Sequence, residues 1–302
     1  MRVLVSVSGG RTSGYMAWWM WTNRQVVAKH LNQPTTELVF VFANTGLEHE
    51  DTLRFVDALA REFKLPLVWV EGVAQVGRVS TQHRVTNYEK AYRNDQWRDK
   101  NHPFHAFIHK YGVPNVKFKS CTREMKRNTI HSYMASLGQE PYYTAIGIRA
   151  DEQRRVSKNA GVDNIIYPLV DMVQTDKEDV LAWWSQYEWD LKIPEWLGNC
   201  VTCYKKSFKK LRAVWQEHPE YFEFNAAMEA AYPRVGPEFQ KYGDATDRTF
   251  FRMGMSTKAL LRVFQENPEI NNYGVYDGGC SESCELYETE STDDGPTPPT
   301  GS

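Results

Sequence analysis

Long apolar runs are missing from this chain. Stretches such as Tyr15–Trp21 and Leu38–Ala43 stop far short of the roughly 20 residues that span a bilayer. The opening residues also lack the basic-then-apolar pattern of a secretory leader, so a cytoplasmic protein with no membrane partner is expected. Cysteine is scarce: five residues, an odd number scattered over 302, exclude a disulfide framework and point to thiols or a metal site. No Gly is followed by four residues and then Gly-Lys-Ser/Thr, which excludes a phosphate loop of the Walker type. After residue 281 there are six acids and no Lys or Arg, so the net charge of -2 hides a mildly basic stretch 1–281, with 36 basic groups against 32 acidic ones. That balance permits an anionic partner without demanding one. Residues 289–302, rich in Pro, Gly, Ser and Thr, read as a disordered tail.

Aromatic residues, by contrast, are plentiful. Ten Trp, sixteen Tyr and fourteen Phe suit a large packed core. Val3, Leu4, Val5 and Val7 form the short β-branched run of a buried parallel strand, which breaks into Ser8-Gly9-Gly10-Arg11-Thr12-Ser13 and then into an apolar helix through Met16 and Met20. Strand, small-residue loop and helix make an anion site. Glycines let the backbone come close, the hydroxyls of Ser8, Thr12 and Ser13 can donate, and the unpaired amides of the helix N-terminus face the same point. A second strand, Leu38–Ala43, runs into Asn44-Thr45-Gly46 and a helix over about 51–63, and a third strand follows at Leu67–Val70. This alternation predicts an α/β fold: a Rossmann-like parallel sheet with helices on both faces and a crevice at the carboxyl ends of its strands. A further strand, Tyr142–Ile148, ends at Gly147 and leads into Arg149-Ala-Asp-Glu-Gln-Arg-Arg155, where Arg149 and Arg155 offer planar charged forks suited to phosphate. Thr175 with Glu178 reads as a capping box opening a helix through Trp184.

Residues 73–119 lose clear periodicity. Their aromatics, Tyr88, Tyr92, Trp97, Phe104, Phe107 and Tyr111, alternate with arginines and with His102, His105 and His109. A stacking platform for a nucleotide or single strand competes with an insertion packed on the core, and packing is the expected role, for the histidines too. Cys121 sits among Lys117, Lys119, Arg123, Lys126 and Arg127, surroundings that favour a thiolate. Cys200 and Cys203 form a Cys-x-x-Cys, and Cys280 and Cys284 close the set. Three segments can thus build a four-cysteine site from Cys121, Cys200, Cys203 and one of Cys280 or Cys284, with Cys280 taken as ligand. The spacing leaves an iron-sulfur cluster, zinc or a redox pair open. The basic run Lys205, Lys206, Lys209, Lys210 and Arg212 suits a negatively charged cluster or a phosphate-bearing substrate.

The loop Ser8–Ser13 resembles the PP-loop, Ser-Gly-Gly-x-Asp/Thr-Ser, of the N-type ATP pyrophosphatase and phosphoadenosine phosphosulfate reductase superfamily. Asn44-Thr45-Gly46 resembles the segment that contacts adenosine there, and Gly147–Arg155 the segment that holds the anionic end of the substrate. The Pro-Leu and capped helix of Tyr167–Trp184 follow in the superfamily's order. The resemblance implies an adenine nucleotide α-hydrolase-like domain over 1–190, a helical cysteine-bearing region over 191–288 and an enzyme of sulfur chemistry. Ser8, Gly9, Gly10, Arg11, Thr12, Ser13, Asn44, Thr45, Gly46, Gly147, Arg149 and Arg155 would bind ATP or a sulfonucleotide, with Mg where ATP is used. It also favours a [4Fe-4S] cluster over zinc, as in cluster-type reductases, some tRNA thiolases and the cysteine-rich subunit of DNA phosphorothioation systems. Sulfur would be transferred to, or reduced on, an adenylated or sulfonucleotide intermediate, with Arg149 and Cys284 catalytic. A nucleic acid or nucleotide would accept sulfur, and a thiol reductant or sulfur-donor protein would assist. Departures favour a divergent role over sulfite release from a sulfonucleotide: Thr12 stands for the pyrophosphatases' Asp, Ser120 for the first of two adjacent cysteines, and Cys284 lacks the Gly and His that follow the reductases' nucleophile. A non-catalytic iron-sulfur or zinc module that binds nucleic acid is the contrasting expectation.

Overall fold

Successive residues of the first strand face two different helical layers. In the computed structural model, which describes residues 1–138, 140–236, 239 and 246–267, β1 (Arg2–Val7) turns Val3, Val5 and Val7 to one side and Leu4 to the other, as the pleat requires. β2 (Glu37–Asn44), β3 (Leu67–Val73), β4 (Gln82–Thr86), β5 (Tyr142–Ala145) and β6 (Ile165–Ile166) complete a sheet of order β4-β3-β2-β1-β5-β6. All pairings are parallel except β3 with β4. The expected parallel sheet is therefore corrected to a mixed one: a short connection without a crossover helix joins β3 to β4, and it can only return the chain antiparallel. Exposed Gln82 and half-buried His83 and Arg84 on this edge carry no apolar signal, which is why the sequence of 73–119 reads as irregular.

The helices are α1 (Arg11–Thr22), α2 (Arg24–His30), α3 (Glu50–Glu62), α4 (Pro103–Tyr111), α5 (Ser120–Thr122), α6 (Thr129–Leu137), α7 (Pro168–Asp171), α8 (Lys177–Trp184), α9 (Phe208–Glu217) and α10 (Phe222–Ala231), with a further one at Thr257–Glu266. α1, α3 and α8 pack Met16, Met20, Leu53, Val56, Leu59 and Trp184 against Val3, Val5, Phe40 and Phe42 on one face of the sheet. α6 covers the other face with Ile130 and Met134. Helix α3 begins where the His49 ring accepts from the Asp51 amide at 3.2 Å, and its acids at the start and Arg61 at the end oppose the helix dipole. The capping box of α8 lies one residue later than expected. Asp176 accepts from the Asp179 amide at 2.9 Å and Asp179 reaches back at 3.1 Å, because Thr175 is tied by its backbone to Leu169 and Ala150. No helix among the described residues is long and apolar enough to cross a membrane.

A second core joins α4 and Met125 to Leu197, Tyr204, α9, α10 and the Thr257–Glu266 helix. The expected division near residue 190 is not a gap in packing, since Leu191 belongs to the first core and Ile193 touches both. The tail 289–302 lies outside the described residues.

Candidate functional site

Gly9 has φ +86°, in the left-handed region, and a β-carbon there would lie 2.7 Å from the Thr52 methyl. The turn after β1 thus takes glycine on two counts, conformation and space. Gly10 caps α1 with no side-chain acceptor on the first amides, leaving the helix N-terminus to face outward. Ser13 does not: its hydroxyl donates to Gly10 O and accepts from Ser8 N and Ser8 Oγ, each at 3.0 Å, which uses the full capacity of a hydroxyl. Arg11 is also committed, with Nε and Nη2 at 2.7 and 2.9 Å from the two Asp190 oxygens and a further bond to Leu191 O. Two of the six expected loop ligands are therefore braces of the loop.

Strand order places the other expected anion-binding group. β5 runs beside β1 on the side away from β2, so the loops after β1 and β5 flank the crevice where the sheet's winding reverses. There the chains touch: a β-carbon on Gly147 would meet Ser13 Cα at 3.2 Å. Arg149, buried, donates from Nη1 to Thr12 Oγ1 at 3.1 Å and from Nε to Asp151 at 2.9 Å. That bond to Arg149 holds the Asp151 carboxyl below the usual carboxylate range. Ser8, Gly9, Gly10, Arg11, Thr12 and Arg149 line one pocket with Lys177, Gly198 and Asn199, about 730 Å³ including its open mouth, a size that suits a nucleotide. Arg155 is not among its lining residues and pairs with Glu152.

Asn44, Thr45 and Gly46 do not line that pocket. Asn44, fully buried, donates to Glu71 at 2.7 Å and to Tyr92 O at 3.0 Å, while its Oδ1 accepts from the Gly46 amide. Thr45 turns instead into a second cavity, of about 500 Å³, which it lines with Cys121, Lys126, Cys200, Cys203, Tyr204 and Lys205.

Three thiols from two distant segments thus share one cavity. Cys121 opens a helical run in which residues Arg123–Asn128 form a π-helical turn before α6, and that wider turn buries Glu124, Met125 and Lys126. The Cys121 sulfur lies 3.7 Å from the Tyr204 hydroxyl, and the Cys200 sulfur 3.4 Å from Thr45 Oγ1. Thr45 Oγ1 also donates to the buried Glu48 carboxylate at 2.8 Å. Burial pushes the Glu48 carboxyl up, opposed by the Lys126 charge and the Thr45 contacts. Lys126 and Lys205 line the same cavity as the three thiols. Among the described residues no group of three or more His, Cys, Asp and Glu is arranged to hold a metal ion; Cys280 and Cys284 lie outside them.

The basic run around α9 divides by position. Lys206 is buried and donates to Val201 O at 2.9 Å and to Trp196 O, pinning the cysteine loop, while Lys210 pairs with Glu195. The aromatics of 88–111 serve packing and internal bonds: Phe104 and Phe107 are core, Tyr88 donates to Glu50, and His105 faces Trp97 O and Tyr232. One site residue escapes the motif reading: Lys177 sits in the first turn of a capped helix, where position after Asp176 is the only cue. Glu48, which follows Asn44-Thr45-Gly46 in the adenosine-type segment, comes beside Cys200 through a Glu48–Cys200 bridge.

No protein-family model matches the chain. It is 32% identical over 301 residues to the uncharacterized nin region protein ORF290 of Escherichia phage lambda, with 94% of each chain covered. At that identity over nearly the full length of both proteins, the chain belongs to the family of this phage lambda nin region protein.

Proposed function

We propose that this protein is an adenine-nucleotide-binding enzyme of sulfur chemistry, built on an adenine nucleotide α-hydrolase-like sheet and akin to the phosphoadenosine phosphosulfate reductases. One observation carries the reading: a single short segment borders both cavities, with Gly198 and Asn199 on the phosphate-loop pocket and Cys200 and Cys203 on the thiol cavity. A nucleotide held at Ser8–Thr12 would thereby lie next to sulfur ligands. The α1 amides, the Thr12 hydroxyl and Arg149 would hold phosphates. In the transfer reaction an oxygen of the acceptor attacks the α-phosphate of ATP, pyrophosphate leaves, and a sulfur nucleophile then displaces AMP. Arg149 and Lys177, which line that pocket, would stabilise the negative charge that grows on the departing phosphates.

The donor set of the second cavity fits a thiolate-held group in kind. Cys121, Cys200 and Cys203 would hold a [4Fe-4S] cluster together with one further thiol, and such a group supplies sulfur or electrons when bound. Lys126 and Lys205 would balance the negative charge of a thiolate-ligated cluster.

Anaerobically purified protein should contain iron and sulfide, absorb in the visible range, and release pyrophosphate from ATP in a manner abolished by Arg149→Ala. Sulfite release from a sulfonucleotide would instead select the reductase chemistry. A preparation that binds iron yet releases neither product with any nucleotide would leave a binding module in place of an enzyme.

A further inference from the structure

The pocket over the phosphate loop is lined by two chemically different sets of groups. One is the loop with Arg149 and Lys177; the other is a wall of Val180, Leu181, Leu191, Ile193 and Pro194, with Leu181 one turn along α8 from Lys177. We propose that this aliphatic wall is the subsite for the nucleoside part of the ligand, and that Lys177 is a second phosphate-binding cation beside Arg149. The inference rests on the nucleotide reading above and deepens it.

Leu181 is 41% exposed although its helix neighbours Val180 and Trp184 are buried, and Pro194 is exposed too. Aliphatic surface left open inside a concave site beside two cations gains most when a flat apolar ring covers it while phosphates meet the charges. On the β2 side the space is taken. The Asn44 amide is bonded to Glu71 and Tyr92 O, and a β-carbon on Gly46 would stand 2.3 Å from the His102 ring. The wall is also held in place relative to the loop. Arg11 grips Asp190 and Leu191 O, and Trp184 Nε1 donates to Arg11 O at 2.8 Å. Arg11 is on this view a positioning residue that ties the wall of 190–194 to the phosphate loop. Lys177, exposed in the first turn of α8, extends the positive set toward the Asp151 side of Arg149.

Calorimetric titration of the full chain with ATP and with inorganic tripolyphosphate separates the two sets. Leu181→Asn should weaken ATP about five- to tenfold, the effect of losing one aliphatic contact, and leave tripolyphosphate within twofold. Leu181→Met should keep ATP affinity, and Lys177→Gln should weaken both ligands by a similar factor. Unchanged ATP affinity in both Leu181→Asn and Pro194→Ser overturns the subsite, as does an equal loss for tripolyphosphate in Leu181→Asn. Unchanged affinities in Lys177→Gln remove Lys177 from the site. Wild-type protein that takes tripolyphosphate but not ATP refutes the nucleoside subsite alone, whereas wild-type protein that takes neither refutes the nucleotide reading and the subsite with it.

Discussion

The Arg149 guanidinium meets the Thr12 hydroxyl at 3.1 Å although 137 residues separate them in the chain. The contact exists because β5 lies beside β1, so the ends of these two strands share a crevice. It also gives position 12 a use for Thr. The Thr12 oxygen accepts from arginine and its hydroxyl proton remains a donor toward the pocket, whereas an Asp there would only accept.

Replacing Arg149 with Ala should raise the Kd for ATP at least tenfold in calorimetric titration. Arg149→Lys should recover little, because a point charge cannot serve Thr12, Asp151 and a phosphate together. The Ala variant should also lose about 1 kcal/mol in urea unfolding, from the bonds to Thr12 and to the exposed Asp151, since Glu152 keeps Arg155. Full nucleotide affinity in the Lys variant would count against the need for a planar guanidinium at this position.

Gly9→Ala should destabilise the protein by about 1–3 kcal/mol and reduce phosphate binding. The cost combines a left-handed backbone with a clash on the Thr52 methyl. Thr52→Ser, paired with Gly9→Ala, should restore part of the stability by removing the methyl but not the cost of φ +86°. A double variant no better than the single one would place the whole effect in the backbone.

Burial pushes the pKa of His102 down to about 4. The folded protein therefore resists protonation that the unfolded chain, near 6.5, accepts. The stability tied to neutral His102 is complete above pH 6.5, declines as the pH falls, and is lost by about pH 4, for a total of about 3 kcal/mol. Urea midpoints measured at pH 7 and pH 5 should fall more in wild-type protein than in His102→Asn, which has no titrating ring and places a favoured N-cap residue at the start of α4. Ring-proton NMR that titrates His102 near 6.5 in the folded protein would contradict this.

Serine at Cys121, Cys200 or Cys203 should each lower the iron content of anaerobically purified protein to well under half, as expected for thiols that share one cavity. Of Cys280→Ser and Cys284→Ser, one should do the same and identify the fourth ligand. The other should leave iron bound, and if Cys284 is the nucleophile its variant should retain iron yet lose sulfite release. Retention of iron in all five variants would dismiss a cysteine-held cluster.

Local pattern alone was enough for β1, the loop after it, α1, β2 and α3, since each is announced by neighbouring residues: a β-branched run, a Gly-Gly turn, an apolar period. The same holds for Arg149 following a strand. Tertiary structure decided what those residues face. Arg11, Ser13 and Asn44 look like ligands in one dimension, yet Asp190, the Ser8–Gly10 turn and Glu71 with Tyr92 O occupy their polar groups. Lys177 and the wall of 190–194 reach the pocket only because α8 packs on α1 beneath it. The meeting of Cys121 with Cys200 and Cys203 likewise depends on α4, α9 and α10 closing a second core around them. Secondary structure follows from interactions a few residues long, whereas partnership depends on which segments the burial of apolar surface brings together, and no window of sequence contains that.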